Sequence, residues 1–244
     1  MGNPGEVNQA VGQAYQYVFI AALEANIVNF ENNFHVHLEP EKTSFDSRTG
    51  KQYSFDFSGV YNQGWRRVDV FGESKGYNKA RNLLAEFRAF LAKAYVTTTD
   101  YRRHKKDYFW FVTNVPFGCS EGDGIRSYEF VKDALNDRSN TQMREILGEG
   151  HVDDLLVRDL VDRLGVFILT DSYLRNTKLS YRVRPGESLW TILKRLYGGS
   201  APAGFRGIAE DIARQNGLES PDRIVSGRRL NLDWHGIGGI RPGF

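Results

Sequence analysis

Residues 53–77, YSFDFSGVYNQGWRRVDVFGESKGY, decide what kind of fold this chain makes. Over 53–61 the side chains alternate, with Tyr53, Phe55 and Phe57 on one face and Ser54, Asp56 and Ser58 on the other, the period-two pattern of a half-buried strand. Asn62-Gln63-Gly64 is turn chemistry, and a second strand-like run follows from Trp65 to Tyr77. The pair predicts an antiparallel β-hairpin. Glu73 and Lys75, two apart on its second strand, point to one face.

Working outward, Ala14, Val18, Ala21, Ala22, Ala25 and Val28 recur at three- and four-residue spacing within residues 8–34, which predicts an amphipathic helix with Glu24 as its central acid. After the hairpin, Leu83, Leu84, Phe87, Phe90 and Leu91 form the core stripe of a helix over 78–95, and DYFWFVTNV at 107–115 reads as a buried strand. A Gly-rich loop at 118–124 is followed by helical patterns at 127–136, 140–148 and 152–164 and by a buried strand at 165–170. Alternation of this kind predicts an α/β domain over 1–175, a mixed sheet flanked by helices. A linker, LRNTKL at 174–179, leads to a small second module over 179–233, and the tail HGIGGIRPGF at 235–244 is too Gly-rich to pack and is expected to be flexible.

With 41% hydrophobic and 13% aromatic residues over 244 positions, the chain can bury one core of ordinary size and a smaller one. Basic and acidic residues stand at 32 against 30, so the pI of about 8.6 does not in itself imply a nucleic-acid partner. Through Lys178 the count is 22 basic to 24 acidic, which weighs against tight nonspecific DNA binding by that part. Cys119 is the sole cysteine, which excludes an intrachain disulfide and a multi-cysteine zinc site and suits a reducing compartment. No secretory leader pattern opens the sequence and no apolar stretch reaches about 18 residues, so a soluble, cytoplasmic protein without membrane association is expected.

Residues 181–193 read YRVRPGESLWTIL and 223–232 read RIVSGRRLNL. Tyr181, Val183, Gly186, Glu187, Ser188, Leu189, Trp190 and Ile192, followed by Ile208, Asn216, Leu218, Ile224, Gly227, Leu230 and Leu232, resemble the LysM family in order and spacing. Read from the residues alone, Glu187-Ser188 before Leu189 can begin a helix, and 222–232 gives a turn and a short strand, making a β-α-α-β unit. The departure from the family is an extended middle over 197–204. The resemblance implies a ligand groove for N-acetylated sugars formed by Gly186, Glu187 and Ser188 with Asp222, Ile224 and Gly227, or a protein-adaptor role, while Leu189 and Trp190 are expected in the core.

Asp56, Glu73 and Lys75 fit the D-x(n)-[DE]-x-K pattern, and their setting resembles the PD-(D/E)-x-K, restriction-endonuclease-like nucleases: an acid-bearing helix, a hairpin carrying the trio, then a helix and a strand. The resemblance covers roughly 14–115. It implies a Mg²⁺ (or Mn²⁺) site made by Asp56, Glu73 and the Ser74 carbonyl, Lys75 orienting or deprotonating the attacking water, and Glu24 completing the metal shell or holding the lysine. Hard Mg²⁺ takes one or two carboxylates with water and phosphate oxygens, which this donor set can supply. Asp69 shares a strand face with Glu73 but lies roughly 13 Å along it, too far for a common metal unless a bulge at Gly72 intervenes.

Lys79 and Arg81 after the trio, and the cluster Arg102-Arg103-His104-Lys105-Lys106, are candidates for a nucleic-acid backbone or for a solvated loop. His35 and His37 share a strand face without an evident third ligand and read as structural or exposed; Cys119 reads as a buried thiol. Gly118–Gly124 lacks the Lys-Ser/Thr of a phosphate-binding loop. The function expected is therefore a metal-dependent nuclease, acting on DNA or, with the same site, RNA. Its LysM module would target or sense, the protein serving as an anti-phage defence effector, a defence-complex subunit or a homodimer. The alternative is a non-catalytic scaffold tethered by LysM to a glycan or a tail-like assembly.

Overall fold

The computed structural model describes residues 4–35, 41, 43–76, 82–102, 105–117, 124–137, 139–196 and 205–232. Along the chain run α1 (Pro4–Asn26), β1 (Phe30–His35), β2 (Ser44–Asp46), β3 (Gln52–Ser54), β4 (Phe57–Gln63), β5 (Arg66–Lys75), α2 (Leu83–Val96), β6 (Tyr108–Thr113), α3 (Tyr128–Asn136), α4 (Thr141–Leu147), α5 (Asp154–Val161), β7 (Leu164–Ile168), α6 (Asp171–Asn176), β8 (Leu179–Arg182), α7 (Leu189–Leu196), α8 (Phe205–Gln215) and β9 (Arg229–Leu232). They group into two compact units. One comprises Asn29–Ser74 and Lys79–Ile168; the other comprises Met1–Val28, Lys75–Asn78 and Leu169–Phe244.

The first unit is built on a mixed sheet ordered β1-β4-β5-β6-β7, with β1/β4 and β4/β5 antiparallel and β6/β7 parallel. The hairpin is present, in the register Gln63↔Arg66 to Phe57↔Gly72. Its turn is Gly64-Trp65, one residue beyond the expected Asn62-Gln63-Gly64, because Gly64 supplies the positive φ (+58°) that a two-residue hairpin turn needs at its first position.

The run 53–61 is not one strand. It breaks at Phe55-Asp56, with β3 pairing β2 in a separate ribbon and β4 entering the main sheet. The break lets Phe55 and Phe57, both fully buried, each find a pocket. Phe55 packs among Phe45, Tyr53, Phe71, Phe90 and Phe109, and Phe87, Phe90, Phe111 and Phe117 continue this cluster under α2. Each such ring contributes about 1.5–3 kcal/mol by burial, and its ring contacts add to that. On the other face of the sheet, Trp110 meets Phe30, Tyr61 and Phe167.

Helices α3, α4 and α5 pack on α2 and start where expected, each capped by a side chain: Ser127, Asn140 and Asp153 accept from the first-turn amides. A π-helical turn, Thr97–Tyr101, closes α2, with the Arg102 amide donating to Thr97 O at 2.9 Å.

In the second unit, β8 and β9 pair antiparallel from Leu179↔Leu232 to Arg182↔Arg229, with α7 and α8 between them in sequence, the expected β-α-α-β arrangement. Its core is Leu179, Tyr181, Val183, Leu189, Ile192, Leu193, Leu196, Ala209, Ile212, Leu230 and Leu232. Helix α1 packs on β8 and α7. Although α1 precedes the sheet in sequence, it groups with residues 169–244, and every side chain from Ala14 to Leu23 is buried, more than the single expected stripe. Over residues 14–23 no face is solvated, so stripe spacing understated the burial. Among the described residues no helix is long and apolar enough to cross a membrane.

Candidate functional site

At the Phe57–Gly72 end of the hairpin, two of the expected residues, Asp56 and Glu73, each adjoin one member of that pair. Asp56 is not within β4 but in the bend before it, and there its Oδ2 accepts from the Ser74 amide at 2.8 Å and the Ser74 hydroxyl at 3.2 Å. This side-chain-to-backbone bond takes over where the strand ladder has stopped, and it fixes the carboxylate beside β5. Glu73, next along β5, is buried, only 4% exposed. Its Oε2 accepts from Lys93 Nζ at 2.9 Å, and the same ammonium donates to Ser54 O at 3.0 Å.

Lys93 on α2 was not anticipated. The only trace of it in the sequence is a lysine inside the apolar run Phe90-Leu-Ala-Lys-Ala-Tyr95, where a charge needs a partner. Lys75 ends β5 and is partly exposed; the boundary between the units falls between Ser74 and Lys75. Glu24 belongs to the other unit. Asp69 is held by Arg102, which also grips the buried Asp107, its Nη2 lying 2.8 Å from Asp107 Oδ1. That pairing removes Asp69 from the carboxylate pair and turns Arg102, a nucleic-acid candidate, into a brace between β5 and β6.

Lys105 and Lys106 are exposed. Lys79, Arg81, Arg103, His37, Cys119, the segment 197–204 and the tail 235–244 lie outside the described residues.

The second candidate is the pair of loops at one end of the β-α-α-β unit. Gly186, at φ +79°, lets the first loop reverse between β8 and α7. Glu187 turns inward: its carboxylate accepts from the Tyr181 hydroxyl and the Arg184 amide, each at 2.8 Å, and from Arg195. Burial pushes the Tyr181 hydroxyl well above its ordinary range. Glu187 therefore shapes the loop from within.

Ser188 and Thr191 bond each other at the start of α7, and the Leu189 amide donates to Pro221 O, which ties the two loops together. Leu189 is fully buried as expected, but Trp190 is only half-buried, stacked toward Phe205 and donating from Nε1 to Asp222 at 2.7 Å. Ile224 is half-buried and Gly227 exposed beside them, and Asn216 clamps the end of β9 by bonding both the N–H and the carbonyl of Asn231. The two loops thus present an indole, an aspartate and exposed backbone side by side.

Residues 181–233 match the LysM domain family. No curated protein matches the chain. Among solved structures it is similar to Acinetobacter baumannii Cap4, a SAVED/CARF-domain containing receptor, in complexes with two cyclic trinucleotides. With 3′3′3′-cAAA the identity is 16% and the TM-score 0.34, over 66% of this chain and 32% of that one. With 2′3′3′-cAAA they are 15% and 0.32, over 65% and 32%. This chain spans about a third of the length of those receptors.

Proposed function

We propose that the α/β unit is a metal-dependent phosphodiesterase of the restriction-endonuclease-like class, acting on DNA, and that the LysM domain supplies recognition of a glycan or partner. The observation that carries the hydrolytic half is the placing of Asp56 and Glu73 beside the paired Phe57 and Gly72 at the end of the hairpin, one fixed by the Ser74 amide and the other buried against Lys93. Among the described residues no group of three His, Cys, Asp or Glu could enclose a metal. Mg²⁺ or Mn²⁺ needs no such group, being held by one or two carboxylates with water and substrate oxygens. When bound, such an ion would polarise the phosphoryl group and lower the pKa of its water.

The chain's own part is to hold the oxygens of Asp56, Glu73 and Ser74 in place without reorganisation, and to supply a cation where charge develops. Lys75 serves that end from the end of β5, and Lys93 pairs with Glu73 at 2.9 Å. Glu24 lies in the other unit, and the reading stands without it.

Supercoiled plasmid incubated with the purified chain tests this. Cleavage should need Mg²⁺ or Mn²⁺ and fall at least a hundredfold in Asp56→Ala and Lys75→Ala. A wild-type protein that leaves plasmid intact with either metal removes the hydrolytic reading. The second reading is then a LysM binding protein without catalysis, favoured by the Trp190–Asp222 edge of the loops. It predicts binding of chitin oligomers that weakens in Asp222→Ala and ignores Asp56→Ala.

A further inference from the structure

The tip of the hairpin, at the end of β5 away from Glu73, carries an unusual group. Trp65 is 87% exposed, the most exposed large apolar side chain among the described residues. It occupies the second position of the two-residue turn and is followed by Arg66 and Arg67, both exposed. The Arg66 guanidinium lies over the indole, 4.8 Å from the ring centroid. Behind the tip, Tyr61 meets Tyr108 with ring centroids 6.0 Å apart, and this brings the exposed Lys105 and Lys106, just before β6, to the same end of the sheet. The segment Tyr61–Val68 contains no acid, and the carboxylates nearest along the strands, Asp69 and Asp107, are both engaged by Arg102.

We infer that this tip is a contact for single-stranded nucleic acid, with Trp65 stacking on an unpaired base and Arg66, Arg67, Lys105 and Lys106 following the phosphates. One side of the indole is covered by a cation and the rest is open, the arrangement on which a base can stack. Surrounding Asn62, Gly64 and arginines offer almost no further apolar area, so the tip is a poor wedge for a lipid bilayer and a good one for a charged strand of flat rings. The contact shares only its ligand class with the proposed function: Trp65 and Glu73 are eight residues apart on one strand, roughly 26 Å, so binding at the tip stands whether or not the carboxylates hydrolyse anything.

The test is fluorescence anisotropy of a labelled 20-nucleotide oligo-dT with the full chain in EDTA, where no cleavage occurs. Trp65→Ala should weaken binding roughly tenfold, Trp65→Phe should restore most of it, and the double change Arg66→Gln, Arg67→Gln should reduce the slope of log K against log salt by about 1.4. Each change is at an exposed turn, and circular dichroism confirms the fold. Wild type that fails to bind, or Trp65→Ala that binds as wild type does, overturns the inference. So does a Trp65→Ala variant that loses only its association with phosphatidylserine–phosphatidylcholine vesicles. A chain that binds oligo-dT through Trp65 but never cuts plasmid removes the hydrolytic proposal and leaves this one in place.

Discussion

Lys93 and Glu73 show how one buried pair constrains both stability and chemistry. Their side chains are 17% and 6% exposed, so neither charge is well solvated and each depends on the other. Lys93→Met leaves the Glu73 carboxylate buried without its cation and should lower stability by roughly 3 kcal/mol in urea unfolding. The double change Lys93→Met, Glu73→Met should be closer to wild type than Lys93→Met alone; a double variant that is worse than either single one would show that the pair is not the source of the cost.

Asp100 gives the pH counterpart. Arg48 grips it with a two-pronged contact, 2.9 and 2.8 Å, which holds the Asp100 carboxyl below its ordinary range. A depressed folded-state value means the stabilisation is complete at neutral pH and is lost as pH falls through that value. With Asp100 35% exposed, Asp100→Asn should cost about 0.5–1 kcal/mol at pH 7. The gap to wild type should close as the pH drops below the ordinary carboxylate range, which urea midpoints across pH will report.

At the scale of elements, the hairpin is held by a glycine that the strand cannot exchange. A Cβ at Gly72 would sit 2.0 Å from the ring of Phe57, its cross-strand partner, and that ring is fully buried. Gly72→Ala must therefore push Phe57 out of its place, at a cost of about 1–3 kcal/mol. Because Asp56 and Glu73 flank this pair, the same variant should reduce any metal-dependent plasmid cleavage more than its loss of stability explains. Unchanged cleavage in a folded Gly72→Ala protein would separate the hairpin register from the site. Helix starts behave more simply: Asp153 accepts from the Leu155 and Leu156 amides, so Asp153→Ala should cost about 1 kcal/mol in thermal unfolding with no effect on binding or cleavage.

Across the whole molecule, the chain leaves one compact unit after Val28, builds the sheet unit, and returns for good at Leu169. Helix α1 and the LysM domain are thus parts of one unit although some 150 residues separate them. Tyr17 lies under Arg195 at 4.9 Å, Tyr15 donates to Asp171, and Thr177 donates to Asn26. Deleting residues 1–28 uncovers apolar surface on β8 and α7, so a chain beginning at Asn29 should bind a hydrophobic dye and melt several degrees lower; equal melting with no dye binding would mean α1 adds nothing to that unit.

The sequence by itself determined the LysM domain, the hairpin and the capped helices. Each of these is written in residues close together along the chain, as turn glycines, caps, period-two runs and the Tyr181–Leu232 pattern, whose physics is local. Tertiary structure alone decided that the strand breaks at Asp56, that Lys93 reaches Glu73, that Arg102 is spent on Asp69 and Asp107, and that residues 14–23 of α1 are buried on every side. Those outcomes depend on which distant side chain satisfies a buried charge or covers an apolar face, and that choice is made by packing, not by spacing along the chain.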